Sequence, residues 1–237
     1  DKFITSLSDS GVTALIISGN HDSAERVAFG SSVMRRGGIY FSPVYSGSVE
    51  PVVLNDEYGA IYIYLLPFLK PANVRRFFPD AEIETHNDAL AAAIGAIETD
   101  PAERNVIVSH QFVTGAVTSE SEELSVGGLE NVDAALYDKF DYTALGHIHR
   151  PQSMEGGRIR YCGTPLKYSF SEANDEKSVT IVDIKRKGDI EITKCPLKPL
   201  HDLREIRGTY DELADRKADG EESRHDYMGA VLRDETE

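Results

Sequence analysis

Cysteine is scarce in this chain. Only Cys162 and Cys195 occur in 237 residues, and two thiols make no disulfide framework; they read as reduced thiols on strands of a cytoplasmic protein. Long apolar runs are also missing, since nothing approaches the roughly 18 residues of a membrane-spanning helix. No basic stretch followed by an apolar one opens the sequence, so secretion has no support. Positive charge is in deficit: 25 Lys and Arg stand against 40 Asp and Glu, a formal net charge of −15. That balance argues against holding nucleic acid by bulk charge. It leaves room for a nuclease, because bound divalent cations reverse the local field at a site. Most of the acidic residues read as a solvated surface.

Hydrophobic residues make up 41% of the chain, enough for one substantial domain, or one domain and a piece of another. Phe3, Ile4 and Leu7 predict a helix over Asp1–Ser10, closed by Gly11. Val12–Ile17 is a continuous apolar run, the pattern of a strand covered on both faces. It stops at Ser18-Gly19-Asn20-His21-Asp22-Ser23, where Ser23 caps a helix expected to reach about Arg36 and to end at Gly37-Gly38. That loop sets an amide oxygen, an imidazole and a carboxylate in three consecutive residues; as a plain turn with an N-cap it needs no chemistry. Ile39–Phe41, Pro51–Leu54 and Ala60–Leu66 read as strands. Arg75 and Arg76 read as a solvated face rather than a phosphate contact. Asn87–Glu98 reads as a helix capped by Thr85 or Asn87, with His86 structural.

A further apolar strand, Asn105–Val108, runs into Ser109-His110-Gln111. Thr114–Gly128 is small, polar and acidic, and reads as a mobile loop beside the site. Leu129–Phe140 reads as a helix leading to Tyr142-Thr143-Ala144-Leu145-Gly146-His147-Ile148-His149. Side chains two apart on an extended backbone point the same way, so His147 and His149 could face one pocket. Beyond Pro151 the pattern is β: a strand at Arg158–Cys162, then a hairpin of Ser178–Asp183 with Asp189–Lys194 around Lys187-Gly188. Pro196 and Pro199 mark a boundary. A short strand, a helix near Tyr210–Lys217 and a strand at Tyr227–Leu232 then open a small domain.

Three strand-to-loop junctions thus offer Asn20 and His21, His110, and His147 with His149, and ligands of α/β folds collect at the carboxyl ends of strands. Amide oxygen and imidazole suit a divalent metal, and paired metals suit phosphate-ester chemistry. A metal pair also wants a bridging carboxylate, and no strand end here supplies an obvious one.

Gly19-Asn20-His21-Asp22, Ser109-His110 and Gly146-His147-Ile148-His149 resemble motifs of the calcineurin-like metallophosphoesterases. With Tyr161-Cys162-Gly163-Thr164-Pro165-Leu166-Lys167-Tyr168-Ser169-Phe170-Ser171-Glu172 added, the chain is similar over nearly its whole length to the nuclease subunits of bacterial SbcCD complexes. The resemblance implies an α/β fold, a four-layer α/β/β/α sandwich over residues 1–198, followed by the start of a small α+β DNA-capping domain over 199–237. It implies two Mn2+, with Mg2+ as the alternative. Asn20, His110 and His147 would hold one ion and His149 would help hold the other. His21 would contact the scissile phosphate and assist the leaving oxygen. Asp22 would orient a neighbour or merely start a helix, and Gly19 and Gly146 would let the backbone turn sharply.

The partners implied are DNA, an SbcC-type ATPase and a second copy of the chain. The function implied is exonuclease and endonuclease activity in DNA repair, recombination and replication. The family's opening Asp-x-His and Gly-Asp motifs have no counterpart here, so the chain reads as a fragment, inactive alone, with an open sheet edge. The competing expectations are a phosphodiesterase of small substrates and a non-catalytic protein-binding scaffold.

Overall fold

The computed structural model describes residues 2–122, 130–214 and 225–233. Helix α1 (Lys2–Asp9) ends as expected at Gly11, whose φ of +68° lets the chain turn back. Strand β1 covers only Ala14–Ile16 and pairs in parallel with β2 (Ile39–Phe41) as a two-stranded sheet. Within it Ala14 is buried and Leu15 packs on the opposite face, while Val12, expected in the strand, lies before it and is exposed. The helix expected from Ser23 to Arg36 is broken. α2 (Ala24–Ala28) stops at the extended residue Phe29, and Gly30, at φ +73°, starts α3 (Ser31–Met34). Only glycine adopts that conformation without strain; a 3-10 turn at Arg35–Gly37 completes the segment.

Next come strands β3 (Pro51–Asp56) and β4 (Gly59–Leu65), and helices α4 (Pro71–Arg75) and α5 (His86–Gly95). Thr85 and Asp88 form a capping box that fixes the start of α5. Ala89, Leu90, Ala93 and Ile94 then form one buried face. Arg75 donates to the Ile83 carbonyl, and the Arg76 guanidinium lies 4.6 Å from the centre of the Phe77 ring. Both are thus engaged with protein.

Strand β5 (Arg104–His110) is followed by β6 (Phe112–Val113) and β7 (Asn131–Val132). The helix expected over Leu129–Phe140 is absent from its described part. Val132 is buried in β7, and Asp133, whose carboxylate accepts from the Ala135 amide, opens a 3-10 turn at Ala134–Tyr137. A local Asp cap and a buried valine thereby outweigh helical periodicity.

Strands β8 (Tyr142–Gly146), β9 (Gln152–Met154) and β10 (Ile159–Tyr161) complete a six-stranded sheet, ordered β3-β4-β5-β8-β10-β9. The inner four strands are parallel and the two edges antiparallel. The molecule is therefore mixed α/β, built on a central mixed sheet. Alternation along the strands divides the core between the sheet's faces. Tyr64, Ile107 and Leu145 join α5 in the larger cluster. Ile63, Leu65, Val106 and Tyr142 form the second.

The second cluster is covered by the hairpin of β11 (Ser178–Ile184) and β12 (Ile190–Pro196), through Val182, Ile184, Ile190 and Ile192, and by residues of the β1–β2 pair. Arg104 fastens the hairpin down: it is 3% exposed, pairs with Asp56 and donates to the carbonyls of Ile184 and Lys185. Strand β13 (Leu203–Gly208), helix α6 (Tyr210–Ala214) and strand β14 (Tyr227–Leu232) follow, with β13 and β14 parallel. The expectations for 123–129 and 215–217 lie outside the described residues. Cys195 lies in β12 and Cys162 follows β10, both as free thiols. No helix among the described residues is long and apolar enough to cross a membrane.

Ile107 is 0% exposed in the central strand β5, whereas Val53 is 45% exposed on the edge strand β3. Urea unfolding should show Ile107→Ala losing about 2–5 kcal/mol, and Val53→Ala changing stability by about 0.5 kcal/mol or less.

Candidate active site

The loops after β1, β5 and β8 meet at one end of the molecule. The 18–23 loop is closed on itself: the Gly19 amide donates to the Asp22 carboxylate at 2.8 Å, and the Asp22 amide returns to the Gly19 carbonyl. Ser23, not Asp22, caps α2 by accepting from the Arg26 amide. Asp22 therefore shapes the loop. The Phe68 amide donates to the Ser18 carbonyl and ties this loop to the segment after β4.

Parallel pairing sets His110, the last residue of β5, opposite Gly146, the last of β8. The His110 ring lies between two glycines. A Cβ on Gly19 would come 2.8 Å from the ring, and one on Gly146 would come 2.7 Å from Nδ1. Neither glycine has a positive φ. They are required by space rather than by a sharp turn, which corrects the expectation about them.

His147 does not continue the strand. Its φ is +97°, in the left-handed region, a conformation that costs a non-glycine residue on the order of 1–3 kcal/mol and gathers at functional sites. It is held there because Ile148 is sunk in the core at 2% exposure and the His147 ring packs against its neighbours. Ring centres lie 5.3 Å from His110 and 6.3 Å from Phe68. The two histidines thus reach one cavity around a bend, not along an extended backbone.

That cavity has a volume of about 260 Å3 and brings together Asn20, His21, His110, His147 and His149. Asn20 Oδ1 stands 3.0 Å from His110 Nε2. Burial, then the neighbouring His147, pushes the His110 pKa down to about 4, and burial also lowers that of His147. At neutral pH both rings are uncharged and carry lone pairs. His86 packs against Phe68 and lies outside the cavity lining.

Sequence reasoning missed the far wall. Ser121 and Glu122 line the cavity. His149 Nδ1 lies 2.6 Å from Ser121 Oγ, which is 2.5 Å from Glu172 Oε1. Glu172 is wholly buried and pairs with Lys177 at 2.5 Å. Burial alone would raise the Glu172 pKa, but the hydrogen bonds from Lys177 and Ser121 outweigh it and the net shift is downward. The signal available was the run ending in Glu172, which carries the family resemblance but by itself suggests no role for the carboxylate.

The donors suit part of a divalent-metal shell. Ligands at right angles on arms of about 2.1 Å lie about 3.0 Å apart, the spacing of Asn20 Oδ1 and His110 Nε2. Among the described residues no three His, Cys, Asp or Glu side chains are grouped closely enough to hold a metal by themselves.

No family model matches the chain. It is 34% identical over 205 residues to the SbcD subunit of nuclease SbcCD from Staphylococcus epidermidis. The match covers 85% of this chain and 54% of that protein, so the chain spans about half the length of this curated relative.

Gly146→Ala should lose about 1–3 kcal/mol through overpacking and displace the His110 ring signals in NMR spectra. The depressed His110 pKa has a second consequence. The unfolded chain takes up this proton near its ordinary value of 6.5, and the folded chain only near 4. The unfolded state therefore binds more protons between those values, and stability falls as pH is lowered from 6.5 to about 4. His110→Asn should flatten that part of the pH–stability curve, measured by denaturant titration.

Proposed function

The chain is SbcD-like over most of its length, and on that premise we propose that it forms the core of a metal-dependent nuclease subunit that hydrolyses DNA phosphodiesters. The observation that carries this reading is the meeting of Asn20, His21, His110, His147 and His149 around one cavity. Asn20, His110 and His147 would hold one divalent cation and His149 would help hold a second, with Mn2+ first and Mg2+ as the alternative. When bound, such ions supply positive charge to the phosphate oxygens and acidify water. The low pKa of His110 keeps its ring uncharged, so that a cation meets no positive charge there. His21 is exposed at the cavity wall on a loop pinned by Asp22. There it contacts the scissile phosphate and gives a proton or a hydrogen bond to the departing oxygen.

Helices α4 and α5, the six-stranded sheet, the β1–β2 and β11–β12 pairs, and helices α1–α3 are the four layers of an α/β/β/α sandwich over residues 1–198. Residues 199–237 begin a DNA-capping domain. Partners are DNA, an SbcC-type ATPase and a second copy of this chain, acting in DNA repair and recombination in the cytoplasm. The acidic surface is no obstacle, because phosphate is met at the cavity rather than over the whole face.

The four metal-holding side chains described here make an incomplete set without a bridging carboxylate. The 237 residues alone should therefore bind metal weakly and cleave nothing. The test compares them with a protein of the relative's full length, with Mn2+, on double-stranded DNA, hairpin DNA, bis-p-nitrophenyl phosphate and cyclic nucleotides. DNA cleavage by the longer protein, lost by about 10²–10⁴-fold in His21→Ala, supports the proposal. Turnover of the small substrates alone favours a different phosphodiesterase, and no turnover at all favours a scaffold. Robust cleavage by the 237 residues overturns their inactivity.

A further inference from the structure

The buried Glu172–Lys177 pair is a poor device for stability, because desolvation of the two ions largely cancels their attraction. Its surroundings show another use. His149 is gripped at three points. Its amide donates to Glu122 Oε1 at 2.6 Å, its carbonyl accepts from Lys177 Nζ at 2.8 Å, and its Nδ1 meets Ser121 Oγ at 2.6 Å. Lys177 Nζ also donates to Glu172 Oε2, which leaves Glu172 Oε1 facing Ser121 Oγ.

Donor counting then fixes the ring. A carboxylate paired with an ammonium group only accepts, and a serine hydroxyl has one proton to give. Ser119 Oγ lies 2.7 Å from Ser121 Oγ and 3.3 Å from Glu172 Oε1, but the 2.5 Å contact between Ser121 Oγ and a carboxylate oxygen needs a hydrogen between them. The Ser121 proton therefore goes to Glu172, so at His149 Ser121 can only accept, and Nδ1 must carry the hydrogen. In neutral imidazole the lone pair is then on Nε2, in a ring that lines the cavity. A metal-holding histidine characteristically gives its other N–H to an oxygen that orients it.

We infer that Glu172, acting through Ser121 and held by Lys177, is a positioning residue that locks His149 in the Nδ1–H tautomer and reserves Nε2 for a divalent cation. The inference rests on the reading of His149 as a metal-holding side chain. It adds a relay from the loop ending at Glu172, through Ser121 before β7, to the bend after β8. Glu172 touches neither phosphate nor metal, and its effect is felt through the ring of His149.

The tautomer can be read without metal or DNA. Ring-nitrogen NMR of the full chain, with His149 assigned from a His149→Gln variant, should show Nδ1–H in the parent. Ser121→Ala and Glu172→Gln should move His149 toward Nε2–H while the His110 signals stay in place. Added Mn2+ should broaden the His149 ring in the parent, and the affinity read this way should fall about 10–100-fold in both variants. Ser121→Thr keeps the hydroxyl and should restore both readouts. If Glu172→Gln fails to fold, Ser121→Ala, on a half-buried loop, decides the matter alone. Nε2–H in the parent overturns the inference, as does a parent-like tautomer in folded Ser121→Ala. So does a shifted tautomer with unchanged Mn2+ affinity, or a parent His149 ring that Mn2+ does not broaden. Failure of the nuclease reading is distinguishable: there Asn20→Ala and His110→Ala bind Mn2+ as well as the parent, whatever the tautomer of His149.

Discussion

The ring of His110 occupies a slot that exists only because Gly19 and Gly146 lack a Cβ. Parallel pairing of β5 with β8 sets one wall of the slot, and the self-closed loop after β1 sets the other. Once the imidazole is seated, Asn20 is brought to its Nε2 and the His147 ring packs against it. The backbone of His147 then has to adopt a left-handed conformation, and the buried Ile148 that follows keeps it there. Close packing at one residue thus places donors from three separate segments.

The same packing settles the charge of the site. An exposed cluster of imidazoles would be partly protonated and would repel cations. Here burial keeps His110 and His147 neutral at neutral pH, and at His110 the neighbouring His147 adds to it. The far wall works differently. The Lys177 ammonium compensates the Glu172 carboxylate, so that charge spends itself within the protein and orients His149. One side of the cavity is made of uncharged donors, and the other is held in shape by a buried ion pair.

The parallel strands were legible because each is an apolar run ended by polar or glycine-containing junctions. Asn105–Val108 falls within the observed strand Arg104–His110, which runs on to include His110, and Tyr142–Gly146 sits where its sequence suggests. The helices were less so. Gly30 looks like one tolerated glycine within a helical pattern, yet its positive φ divides the segment into α2 and α3. Leu129–Phe140 has helical spacing, but Val132 is drawn into a short strand. Glu172 had no visible partner, because His149 lies 23 positions before it in the sequence and Ser121 lies 51 positions before it. Contacts at that separation are set by the packing of loops rather than by local pattern.

The sequence by itself determined which side chains could do chemistry and that they stand at strand ends, because hydrophobic periodicity and glycine placement are local properties of the chain. Tertiary structure alone decided that Gly19 and Gly146 serve as space for an imidazole, that His147 reaches the cavity around a bend, and that a buried carboxylate selects the tautomer of His149. Each of those depends on distances between residues far apart in the chain. Such distances follow from how the sheet, the helices and the loops fill space together.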